Sequence, residues 1–192
     1  MTKVIGLTGP TGAGKSSAAA VCKKLSIKHI DCDILARKAV EKGTNGLNAV
    51  VNAFGNDILN PDGSLNRKAL AQKAFCDKMS TQLLNETLLP FIKELVLKEI
   101  EGEFVLLDAP TLFESGINVI CFKTVAVLSD SQIRLDRIMK RDNITKDAAL
   151  LRINAGKTDD FYIKNCDFVI YNNEDEQTFN NEFSNLLREI LL

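Results

Sequence analysis

The sequence predicts an α/β fold, a parallel sheet carrying helices on both faces, and three observations lead there. Five short apolar runs, Val4–Thr8, Lys28–Asp31, Phe104–Asp108, Thr124–Leu128 and Phe168–Tyr171, have the length and composition of buried strands. Stretches of helical periodicity separate them, as crossover connections between parallel strands require. Residues 9–16, Gly-Pro-Thr-Gly-Ala-Gly-Lys-Ser, fit the pattern G-x-x-x-x-G-K-[ST] without mismatch.

That octapeptide sits between the first apolar run and Ser17–Cys22, which reads as the opening of a helix. Strand, loop and helix are the surroundings in which such a loop cradles phosphate. Glycines let successive backbone N–H groups turn inward, and the helix adds its positive N-terminal end. Lys15 would reach the terminal phosphates of a nucleoside triphosphate, and the Ser16 hydroxyl would ligate magnesium.

The second run ends in Asp31-Cys32-Asp33, followed by the helical Ile34-Leu35-Ala36-Arg37. Alternation along an extended segment would point Asp31 and Asp33 the same way, toward the edge where open α/β sheets bind ligands. Asp33 is then a candidate general base for a hydroxyl attacking phosphorus. The competing role is that of a cap for a helix beginning at Ile34.

A long gap follows before the third run. Leu47, Val50, Val51 and Phe54 recur at helical spacing with Gly55 placed to end the helix, and Asn60-Pro61-Asp62-Gly63 is a turn. Pro90 is expected to open a helix bearing Ile92, Leu95, Val96 and Ile100, closed by Gly102. Residues 43–102 therefore read as a helical insertion on the sheet.

Asp108 ends the third run, where an acid either supports a magnesium-bound water or satisfies nearby backbone donors. Beyond the fourth run, Arg134, Arg137 and Arg141 share one side of a helix, and Thr145 caps a second helix carrying Arg152. Two short helices displaying arginines predict a lid over residues 130–156 that closes on phosphates. Phe179, Phe183, Leu186, Leu187, Ile190 and Leu191 predict a closing helix docked on the sheet.

Composition narrows the function classes. The chain has 192 residues, 45% of them hydrophobic, enough for the core of one domain. A net charge of −1 gives no electrostatic footprint for nucleic acid or an anionic membrane. Five cysteines without a C-x-x-C point to reduced thiols rather than disulfides or zinc. His29 is the only histidine and lies inside a strand, which removes Ser-His-Asp and histidine–metal chemistry. No apolar stretch reaches membrane-spanning length. The expectation is a cytoplasmic protein, a monomer or weak homo-oligomer, whose partner is a small-molecule substrate.

With these residues in view, the chain resembles the dephospho-coenzyme A kinase family over essentially its full length. The matching stretches are Ile5–Gly9 through Gly14-Lys15-Ser16; Asp31-x-Asp33 with Ala36-Arg37; and Phe54-Gly55-x-x-Ile58-Leu59 with Asp62-Gly63-x-Leu65-x-Arg67. Further along come Pro110–Gly116, the Gln132, Arg137 and Arg141 spacing, Arg152-Ile153 and Cys166–Ile170 with Asn172. The resemblance implies a P-loop NTPase-type three-layer fold with a five-stranded parallel sheet, a helical substrate-binding insertion and a small helical lid. It implies one kinase domain: core about 1–42, 103–129 and 157–192, insertion about 43–102, lid about 130–156.

The resemblance also implies transfer of the γ-phosphoryl of ATP to the ribose 3′-hydroxyl of dephospho-coenzyme A, the last step of coenzyme A synthesis. By position, Asp33 would be the base, Gly12, Ala13, Gly14, Lys15, Ser16 and Ser17 would bind ATP, and Lys15 and the lid residue Arg141 would complete the catalytic set. The sequence departs from the family pattern at Pro10, at Leu89 (commonly His) and at Gly156 (usually Gln). A shikimate- or nucleotide-type kinase shares the loop and the acid after strand two, but not the insertion motif. A GTPase-like switch would want Asn-Lys-x-Asp, which the sequence lacks.

Overall fold

The computed structural model describes residues 2–191. Its five strands are β1 (Lys3–Thr8), β2 (Lys28–Asp31), β3 (Phe104–Asp108), β4 (Lys123–Leu128) and β5 (Phe168–Tyr171). They form one sheet in the order β2-β3-β1-β4-β5. β1 runs parallel to β3 with Leu7 opposite Asp108, and parallel to β4 with Thr8 opposite Ala126. β4 in turn pairs in parallel with β5. The helices are α1 (Lys15–Lys24), α2 (Cys32–Ala39), α3 (Asn45–Phe54), α4 (Arg67–Ala74) and α5 (Lys78–Glu99). After β3 come α6 (Ser131–Asp142), α7 (Lys146–Asn154), α8 (Asp159–Asn165) and α9 (Glu176–Leu191).

Two compact units divide the chain. The first holds residues 1–29, 101–110 and 121–192, and the second holds residues 30–100 and 111–120. In the first, alternation along β4 splits its side chains between two faces. Val125 and Val127 join Ile5, Leu7 and Leu106 in a core closed by α1 and α9, whereas Ala126 and Leu128 meet Tyr162 of α8. Helices thus cover both faces. The expected closing helix is α9, which buries Phe179, Phe183, Leu187 and Ile190 against Ala18, Val21 and Cys22. Each such side chain contributes about 1.5–3 kcal/mol of hydrophobic transfer. Burial in this core also pushes the Cys22 thiol up to about 12, which keeps it protonated and inert.

In the second unit, α2, α3, α4 and α5 enclose Val40, Leu47, Val50, Ile58, Leu65, Leu70 and Leu84. α3 ends at Gly55, φ 92°, as its apolar stripe predicts, and Thr44 caps its start by accepting from the Leu47 N–H at 3.1 Å. Pro90 differs from expectation. It lies inside α5, a helix of 22 residues, rather than opening one. The ring removes a donor and crowds the preceding turn. Burial of Leu84 on one side of Pro90 and of Val96 on the other carries the helix through. Leu89, next to Pro90, lies against Gly116, its Cδ2 3.3 Å from where a Cβ there would stand.

Candidate active site

Gly14, at φ 96°, is the N-cap of α1, and no side chain among the described residues caps that helix. Asp31, Thr44, Asn66, Asp77 and Thr145, by contrast, cap α2, α3, α4, α5 and α7 with their side chains. A helix start without a side-chain cap, entered through a glycine loop, leaves backbone N–H groups for an anion. The loop approaches the sheet so closely that a Cβ on Gly9 would lie 2.2 Å from the Val127 carbonyl oxygen. Lys15 Nζ donates to the carbonyl oxygens of Gly9 at 2.8 Å and Pro10 at 3.4 Å, folding the side chain back over the loop. Pro10 itself is buried, and its carbonyl also accepts the Ala13 N–H at 3.3 Å. Ser16 and Ser17 follow in the first turn of α1.

Asp108 ends β3 with its side chain 17% exposed. Its Oδ2 faces His29 Nε2 at 3.6 Å, while its buried Oδ1 has no hydrogen-bond partner among the described residues. A buried carboxylate oxygen left over is costly in isolation. A hard cation's water shell would satisfy it. The donor set of the Ser16 hydroxyl and the Asp108 carboxylate suits magnesium, which takes few protein oxygens and keeps several waters. Ser16 and His29 also border one cavity of about 560 Å³. His29 thus has a structural neighbour of consequence that its position mid-strand did not announce.

The acids after β2 divide differently from the sequence expectation. Asp31 is the cap of α2, accepting from the backbone N–H of Asp33 at 2.8 Å and of Ile34 at 3.2 Å. The helix begins at Cys32, so alternation ends one residue before Asp33 and the two acids do not share a strand face. Asp33 is exposed in the first turn of α2. It lines a cleft of about 470 Å³ in the second unit with Arg37, Arg67, Leu65, Leu70 and Phe75. Leu65 and Arg67 follow the Asp62-Gly63 turn, where Asp62 Oδ1 accepts from the Ser64 N–H at 3.0 Å.

The three arginines of α6 are not displayed together, contrary to expectation. Arg134 is 8% exposed and pairs with Asp159 at 3.4 Å. Arg137 turns toward the phosphate loop, its Nη1 donating to the Ala13 carbonyl at 3.3 Å and to Ser129 Oγ at 3.4 Å. Arg141 alone is exposed, and it donates twice to Asp142, at 2.7 and 2.8 Å. Arg152 joins Asp142 from α7. The separation arises because Leu135, Ile138 and Ala149 form a small core that turns different arginines inward and outward. Asn172, just past β5, also reaches the Ala13 carbonyl through Nδ2 at 2.9 Å. It follows the Cys166–Ile170 stretch that resembles the family, yet spacing alone gives it no role.

Comparison with known proteins supplies the remaining information. The family model described as dephospho-CoA kinase matches residues 3–178. A dephospho-CoA kinase of Listeria innocua is 43% identical over 180 residues, covering 91% of this chain and 90% of its own. The crystal structure of a Thermus thermophilus protein superposes with a TM-score of 0.81 at 27% identity, covering 98% of this chain and 97% of the other. A shikimate kinase from Acinetobacter baumannii has a TM-score of 0.56 at 13% identity, over 100% of this chain and 94% of its own. That likeness is one of fold alone. By the extent of the family match and of the identity to its curated members, the chain belongs to the dephospho-CoA kinase family.

Proposed function

We propose that this chain transfers the γ-phosphoryl group of ATP to the ribose 3′-hydroxyl of dephospho-coenzyme A, completing coenzyme A synthesis in the cytoplasm. Family membership carries the proposal, and the phosphate loop and the cleft lined by Asp33, Arg37 and Arg67 support it. Nucleotide phosphates would lie on the N–H groups of Gly12–Ser17 at the start of α1. Lys15 would exchange the carbonyls of Gly9 and Pro10 for the terminal phosphates.

The acceptor would occupy the cleft lined by Asp33, Arg37 and Arg67. Its apolar wall, Leu65, Leu70 and Phe75, suits an uncharged chain, and the two arginines suit the phosphates of the acceptor. Asp33 would accept the proton of the 3′-hydroxyl. Arg141 would leave Asp142 to stabilise charge on the transferring group. Ser16 and Asp108 would hold magnesium, which when bound neutralises phosphate charge. Residues 43–102 would serve as the acceptor insertion and residues 130–156 as the lid of one kinase domain.

A coupled ADP-release assay over dephospho-coenzyme A, shikimate and nucleoside monophosphates tests this reading. Turnover with dephospho-coenzyme A alone is the expected result. Turnover with shikimate or a monophosphate and none with dephospho-coenzyme A would assign the chain another acceptor.

A further inference from the structure

We infer that Asn172 and Arg137 form a latch that orients the Ala13–Gly14 peptide of the phosphate loop, making them positioning residues for the nucleotide's phosphates. The inference rests on ATP occupying that loop. A trans peptide is planar, so its C=O and the following N–H point in opposite directions. The Ala13 carbonyl accepts from Asn172 Nδ2 at 2.9 Å and from Arg137 Nη1 at 3.3 Å. Holding that oxygen on the latch side aims the Gly14 N–H away from the latch, into the cradle.

Gly14 makes such a constraint necessary. At φ 96° only glycine is comfortable, and glycine's freedom makes a flip of the 13–14 peptide cheap. A flipped peptide would present a carbonyl oxygen to phosphate in place of a donor. The latch opposes the flip because Asn172 is itself immobilised. It is 5% exposed; its N–H donates to the Leu128 carbonyl at 2.8 Å, and its own carbonyl accepts from Ser129 Oγ at 2.9 Å. Its Oδ1 accepts from Arg137 Nη2 at 3.3 Å, which fixes the amide with Nδ2 toward Ala13. The ends of β4 and β5 therefore set the direction of one peptide in the loop. Close fit reinforces the arrangement, because a Cβ at residue 14 would stand 2.1 Å from Asn172 Nδ2.

Calorimetry of ADP and dephospho-coenzyme A binding to the full chain tests the latch. Asn172→Asp keeps the size but sets a carboxylate oxygen against the Ala13 oxygen. ADP should bind roughly ten- to hundredfold more weakly, the loss of one charge-assisted hydrogen bond, with dephospho-coenzyme A affinity within about twofold. Arg137→Lys, which keeps the positive charge but loses the planar fork, should fall between wild type and Asn172→Asp. General damage would weaken both ligands alike. A measurement needing no variant is the Gly14 amide proton resonance, which should shift downfield when ADP saturates the wild-type chain. A folded Asn172→Asp chain with wild-type ADP affinity, or a Gly14 amide unmoved by ADP, would overturn the latch. A wild-type chain that binds no ADP would overturn the nucleotide reading and the latch together.

Discussion

The carboxylate of Asp31 accepts the backbone N–H of Asp33 at 2.8 Å, so the first acid of the pair caps α2 and the second is released from that duty. Substitution can therefore separate the two. Asp33→Asn should leave the melting temperature within a degree or two and lower phosphoryl transfer by about 10²–10⁴, the usual worth of a positioned base. Asp31→Ala should cost about 1 kcal/mol and roughly 2–4 °C, as loss of an N-cap does in a chain of this size. Thermal denaturation beside the ADP-release assay distinguishes them. Normal turnover by a stable Asp33→Asn chain would remove Asp33 from the chemistry.

Lys15 Nζ is held by the loop's own carbonyls, so its removal takes away the proposed phosphate ligand without opening the core. Lys15→Ala should keep the circular dichroism spectrum of the parent and lose about 10²–10³ in turnover. Steady-state kinetics with saturating dephospho-coenzyme A measures the loss.

Asp108 offers a buried oxygen with no hydrogen-bond partner among the described residues. With Asp108→Asn, the magnesium concentration for half-maximal rate should rise about tenfold or more, while ATP binding measured without magnesium stays unchanged. An unchanged magnesium requirement would return Asp108 to a purely structural role beside His29.

Asp142 clamps Arg141 and Arg152, and hydrogen bonds from Arg141 hold its carboxyl below the ordinary range. A depressed carboxylate pKa means that the clamp's contribution is complete above about pH 4 and fades as pH falls through the lowered value. Turnover between pH 6 and 9 should then owe nothing to Asp142 titration. Asp142→Asn should imitate acid at neutral pH, with faster amide exchange over residues 142–155. Arg141→Ala should lower turnover more than it weakens dephospho-coenzyme A binding. Equal losses in both would make Arg141 a substrate ligand only.

Periodic and contiguous features were legible in the sequence. The octapeptide at 9–16, the apolar runs of the strands, the α3 stripe ending at Gly55 and the apolar face of α9 all follow from local spacing, because burial repeats with the element's own period. Three matters were decided only in the folded chain. Pro90 stays within α5 because packing on both sides of it outweighs a local helix-breaking preference. The arginines of α6 part company because a small core fixes which way each turn of that helix faces. The hold of Asn172 on Ala13 spans 159 residues of sequence, a contact that only the sheet order β1-β4-β5 brings about and that no local pattern encodes.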